Sequence, residues 1–143
     1  MSQFYDVNGD GQQVIRLRAA ANRSKGHIVW IAAPAAAGDV LADVSVSSSA
    51  SVRRVAVALH DITSGDIGLY CVRGPVHVTN LTSGNFTAYN GIETDGGNIE
   101  DSAGAADVSC AEAATDFAVA LESGTTVTEL DVYILGEPYT STT

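Results

Sequence analysis

The run from Val55 to Val78 constrains what this chain can fold into more than any other segment. Val55, Val57 and Leu59 alternate with small residues, the polar turn Thr63-Ser64-Gly65-Asp66 follows, and Ile67, Leu69 and Cys71 resume the alternation. Successive side chains of a strand point to opposite faces, so period-two patterning around a glycine-containing turn predicts strand, turn and strand. Gly74-Pro75 then breaks the run before a third strand, with Val76 and Val78 on one face. The same grammar recurs in part: Ala35-Ala-Ala-Gly38-Asp39-Val40 precedes a strand upstream, and Ala118-Val-Ala-Leu-Glu-Ser-Gly124 precedes one downstream. The spacing is too uneven for a solenoid. Nothing in this grammar is catalytic; it builds a surface.

The rest of the chain reads the same way. Gln13 to Ala19 alternates, with Ile15 and Leu17 on one face and Arg16 and Arg18 on the other. His27 to Ala33 predicts a strand with Val29 and Ile31 opposite Ile28 and Trp30, ended by Pro34, which has no N–H for a ladder. Val40 to Val46 alternates again, Ser47 to Ser51 reads as a loop, and Ser83-Gly84-Asn85 turns the chain into Phe86–Tyr89. Residues 90–107 read as a long acidic loop, of the kind that is usually functional or mobile. Cys110, Ala114, Phe117 and Leu121 fall at helical spacing, so a short helix near 105–115 competes with a strand over Phe117–Leu121. The final strand places Leu130, Val132 and Ile134 inward and Glu129, Asp131 and Tyr133 outward, until Gly136 and Pro138 stop it. About eight short strands separated by turn residues predict an all-β fold, an antiparallel β-sandwich or small barrel with an extended N-terminal arm. The domain reading is an arm over residues 1–13, one β domain over 14–136 and a polar tail over 137–143.

At 143 residues the chain can bury a core without metals or disulfides, but its 45% apolar fraction is carried by Ala and Val, with aromatics at 6%. Such a core gives less burial per residue, so part of the stabilising burial is expected at an interface between subunits. No run of about 18 apolar residues occurs, which excludes a transmembrane helix. The N-terminus lacks the basic and apolar regions of a signal peptide, so synthesis in a cytoplasm is expected. There Cys71 is expected as a free, buried thiol rather than half of a bridge to Cys110. The three sequons, at Asn22, Asn80 and Asn85, then read as unmodified turns.

Charge is unevenly spread. All seven Lys and Arg lie within the first 73 positions beside six acids, a net +1, whereas the remaining eleven acids, from Gly74 onward, meet no Lys or Arg. That distribution argues against a general nucleic-acid binder, which needs a concentrated basic surface. It suits a polar molecule with one end able to dock on an acidic surface.

Candidate chemistry is sparse. Asp6-Val-Asn8-Gly-Asp10-Gly11 begins like a calcium loop, but its twelfth position is Leu17 where a bidentate Glu is needed. Glu93, Asp95, Glu100, Asp101 and Asp107 read as a solvated acidic surface rather than a cation site or a glycosidase pair. His27, His60 and His77 are scattered without zinc-ligand spacing, and no G-x-S-x-G elbow or phosphate-cradling loop exists. No catalytic residue, no metal ligand and no cofactor is assigned. Phe4 and Tyr5, aromatics on a polar arm, are the candidate docking anchors, with Arg16 and Arg18 on the adjoining strand.

The segment Val55–Val76, with Ala58, Asp61, Ile62, Gly65, Gly68, Val72 and Gly74 in order, resembles a segment of the small head decoration, or cement, proteins of tailed bacteriophages. Phe117-Ala-Val-Ala-Leu-Glu-Ser-Gly124, followed by the strand ending Val132-Tyr-Ile-Leu-Gly136, resembles their closing segment. The resemblance implies an all-β homotrimer on the capsid exterior of the virion, bound to the major capsid protein and stabilising contacts between shell subunits, with no nucleic-acid or membrane partner. A carbohydrate- or receptor-binding β-module of a virion appendage is the alternative, and a small hydrolase is a weaker third reading.

Overall fold

The computed structural model describes residues 6–7, 11–34, 36–46, 54–95, 98–105 and 116–136, with side chains described for all but 6–7, 95 and 103–105. Among the described residues every regular element is a strand, as the alternation predicts. The strands are β1 (Asp6–Val7), β2 (Gln13–Arg18), β3 (Ile28–Ala32), β4 (Ala42–Ser45), β5 (Val55–Ala58) and β6 (Ile67–Val78). They continue with β7 (Gly84–Phe86), β8 (Asn90–Asp95), β9 (Asn98–Ala105), β10 (Asp116–Ala120), β11 (Gly124–Val127) and β12 (Leu130–Ile134). Phe4, Tyr5, the turn at 8–10, the Ser47–Ser51 loop, the competing helix near 105–115 and the polar tail fall wholly or mostly outside the described residues.

Two halves share β6. Strand β2 pairs with β6, β6 with β5, β5 with β3, β3 with β4, and β4 returns to β2 through the parallel pair Arg18–Ala42. These pairings close a five-stranded barrel, antiparallel except at that one seam. Ile15 and Leu17 of β2, Val29 of β3, Ala56 and Ala58 of β5, and Tyr70 and Val72 of β6 fill it. The second half of β6 continues into an antiparallel sheet through β12, β10, β8 and β9. This sheet covers the outside of the barrel. Ile28, Trp30, Val55, Val57 and Cys71 meet Ile92, Phe117, Ala118, Val132 and Ile134 in one buried cluster. Barrel and sandwich are thus both present, fused through shared strands. Strands β7 and β11 pair separately.

The alternation Val55-Ala-Val-Ala58 finds its physical reason here. All four residues are buried because β5 is covered on both faces. The alanines point into the narrow barrel and the valines into the wider inter-sheet layer. Likewise Val29 faces the barrel and Ile28 and Trp30 the layer, the division their alternation predicts.

Two expectations are corrected. Gly74-Pro75 does not break the chain into two strands: β6 runs through twelve residues and changes partner there, from β2 (Ile67 to Arg73) to β12 (Gly74 to Val78). Gly74 permits this with φ 111°, beside a register shift in the β2 ladder. Residues 90–95 and 98–105 are not a loop but the antiparallel strands β8 and β9, in which Asp95 pairs with Asn98. Within the N-terminal arm, Asp6 and Val7 pair with Val14 and Gln13.

Candidate interaction surface

Strand alternation decides what the outer barrel wall presents. Ile15 and Leu17 turn inward, so Arg16 and Arg18 project outward from β2, as expected. Across the ladder Arg16 sits opposite Leu69 and Arg18 opposite Ile67. The buried set of β6 at this end is Gly68, Tyr70 and Val72, which leaves Ile67 and Leu69 45% and 44% exposed. The alternation shows the two faces but not which is buried, because tyrosine and glycine mark the inner one. His60 lies against the same stretch, its Nε2 accepting the Leu69 N–H at 3.0 Å. That contact makes Nδ1 the protonated nitrogen, donating to the Asp61 carbonyl at 3.0 Å.

The two arginines are not equivalent. Arg18 donates Nε and Nη2 to Oδ2 and Oδ1 of Asp39 at 3.0 and 2.9 Å, and Nη1 to the Gly65 carbonyl at 2.7 Å. The fork holds the Asp39 carboxyl below its ordinary pKa and raises that of Arg18. Arg16 has no ion-pair partner among the described residues. A third arginine, Arg23, is withdrawn altogether. Its Nε and Nη2 donate to Oδ2 and Oδ1 of Asp43 at 2.8 and 3.0 Å, while the Tyr70 hydroxyl donates to Oδ2 at 2.6 Å. Burial alone would raise Asp43, but Arg23, the Ala20 N–H and the Tyr70 hydroxyl outweigh it and hold the carboxyl low. Burial, followed by the hydrogen bond to Asp43, pushes the Tyr70 phenol up. Among the described residues Arg18 and Arg23 are therefore neutralised by the chain's own acids, which no spacing in the sequence announces.

In the acidic half, Glu93 lies opposite Glu100 in the β8–β9 hairpin, and Asp101 accepts the Thr87 N–H at 3.0 Å and the Asn90 amide at 3.2 Å. Asp107 lies outside the described residues, as do the side chains of Asp6, Asn8, Asp10 and Asp95. Among the described residues no three His, Cys, Asp or Glu converge as metal ligands. His77 is held by Asp131 at 2.7 Å and Glu129 at 3.4 Å. The bond to Asp131, with smaller help from Glu129, raises its pKa above 6.5.

Tyr89 is the second feature that sequence reasoning missed. It is 67% exposed, with φ 71°, beside Leu121 at 39%. Its N–H donates to the Ala120 carbonyl at 2.7 Å, while the Ala88 N–H donates to Ser123 Oγ at 2.9 Å. The sequon asparagines serve as connectors: Asn22 accepts from the Ser64 N–H, Asn80 bonds both the N–H and the carbonyl of Ile28, and Asn85 accepts from the Thr126 N–H.

The sequence matches no protein-family model and no curated protein. Its fold is similar to that of a solved structure, the head fiber gp8.5 N base in bacteriophage phi29, with a TM-score of 0.52 over 89% of this chain and 98% of that one. At 16% identity the likeness is one of fold, and it spans both the barrel and the covering sheet.

Proposed function

We propose that this chain is a structural protein of a phage virion, carried on the capsid exterior, where it binds the major capsid protein as a homotrimer and stabilises contacts between shell subunits. The observation that carries the reading is the fold likeness, because it extends over 98% of a head fiber base and so is not a shared fragment. The resemblance of Val55–Val76 and Phe117–Gly136 to head decoration proteins comes from different information and points the same way. A protein that binds only the assembled shell stabilises it by mass action and needs no catalytic group, metal or cofactor to do so. Phe4 and Tyr5 serve as the docking anchors, and synthesis takes place in the host cytoplasm. For the carbohydrate-binding alternative, a stacking platform is required, but Trp30 is buried and Tyr89 is the one exposed aromatic among the described residues.

The test is co-sedimentation with empty capsid shells. Saturable binding that deletion of residues 1–5 weakens, without changing the oligomeric state of the free protein, is the expected result. Failure to bind shells at any concentration would exclude the cement role.

A further inference from the structure

We propose that copies of this chain associate head to tail, the Ile67–Leu69 face of one copy seating on the Tyr89–Leu121 face of the next. The proposal rests on the homotrimer put forward above and names its two surfaces. Among the described residues, four large apolar side chains are exposed, and they form two pairs. Ile67 and Leu69 occupy alternate positions on one face of β6, directly across from Arg18 and Arg16. Tyr89 and Leu121 close the ends of β8 and β10, where the Leu121 N–H donates to the Asp131 carbonyl and Glu122 Oε1 accepts the Asp131 N–H. Arg16, without an ion-pair partner among the described residues, thus borders the first pair beside the internally neutralised Arg18–Asp39 fork, whereas the carboxylates of Glu122 and Asp131 border the second.

The pairs cannot form one patch. Asp131 is level with His77 on β6, eight residues from Leu69, roughly 26 Å at about 3.3 Å per residue. A contact between them in different copies is heterologous, the type that closes into a ring when the rotation permits. Charge complementarity selects a second copy as the occupant. Arg16 lacks an ion-pair partner among the described residues, and beyond Gly74 the chain has eleven acids and no Lys or Arg to match them. An apolar centre with opposite charges facing across its rim both attracts and orients the partner. Tyr89 suits the role of anchor because the turn that carries it is already fixed, through Thr87 to Asp101 and Ala88 to Ser123, so little order is lost on contact.

Sedimentation equilibrium of the full chain in free solution tests this with Arg16→Glu, Leu69→Ser, Tyr89→Gly and Glu122→Arg. Each is expected to raise the dissociation constant at least ten-fold, and Arg16→Glu combined with Glu122→Arg to recover most of the loss. Tyr89→Gly keeps the test sound, since glycine accepts φ 71° and the variant should melt no lower as a monomer. A wild-type monomer at every concentration would overturn both this contact and the trimer. A wild-type trimer indifferent to all four changes would overturn the contact alone. If Arg16→Glu abolished shell binding with the solution mass unchanged, Arg16 would belong to the shell interface and the head-to-tail assignment would fall.

Discussion

Arg23, Asp43 and Tyr70 show how an ion pair is kept inside a small barrel. The fork geometry, the Tyr70 hydroxyl and the Ala20 N–H together satisfy the carboxylate, and the backbone of Arg23 is clamped to Ile62 by two hydrogen bonds of 2.8 Å. Removing one partner strands a buried charge, so Asp43→Ala should cost about 3–5 kcal/mol in chemical denaturation. Tyr70→Phe, which deletes one hydrogen bond to a charge, should cost about 1.5–3 kcal/mol. Because the folded pKa of Asp43 lies below its ordinary 3.8, its contribution is present above about pH 4. That contribution fades as the pH falls through the folded value, and acid titration of stability should lose this component in Asp43→Asn. His77 has the opposite sign. Its folded pKa lies above 6.5, so its contribution is complete below that pH and is lost as the pH rises through the folded value. The melting difference between wild type and His77→Ala should therefore be largest at mildly acidic pH and vanish in alkali. It should also be small and salt-sensitive, since the His77 side chain is 47% exposed.

At the scale of the element, β6 carries the architecture. Its partner change depends on Gly74, where a Cβ would stand 2.6 Å from the Gly11 carbonyl oxygen at φ 111°. Gly74→Ala combines left-handed strain with a clash against backbone, and a loss of about 2 kcal/mol or more is expected in thermal melts. Strand β5 is limited by volume instead. Ala56 and Ala58 are fully buried in the barrel, so Ala58→Val should overpack it and cost about 1–3 kcal/mol, whereas Val57→Ala should cost stability through a cavity in the inter-sheet layer. Cys71, on the outer face of β6, is a free thiol whose pKa burial pushes up to about 11. In a Cys110→Ser background it should resist alkylation in the folded protein and react at once in denaturant.

For the whole molecule, the sequence-level polarity of charge is real but weaker than the count suggests. Arg18 and Arg23 are answered within the N-terminal half by Asp39 and Asp43, so the positive charge left for partners is smaller than the seven Lys and Arg of the sequence. Long-range attraction then matters less than a local match of apolar and charged groups. Raising the salt concentration should weaken the head-to-tail contact several-fold rather than abolish it, a dependence that sedimentation at two ionic strengths can measure.

Strand content, the inward faces of β2, β3 and β12, and the burial of Cys71 were legible in the sequence, because side-chain alternation is a local property that survives any tertiary arrangement. The β8–β9 pairing was not, because acids along both strands resemble a solvated loop. Three features had no local signal. Which face of β6 is buried at Ile67 and Leu69 depends on Tyr70 finding Asp43 on a strand twenty-seven residues away. The continuity of β6 through Gly74 depends on β2 and β12 lying where each can take half of its ladder. The pairing of Arg18 with Asp39 depends on the parallel seam that closes the barrel. Local alternation determines that a strand exists and has two faces, whereas closure of the barrel decides which face meets solvent.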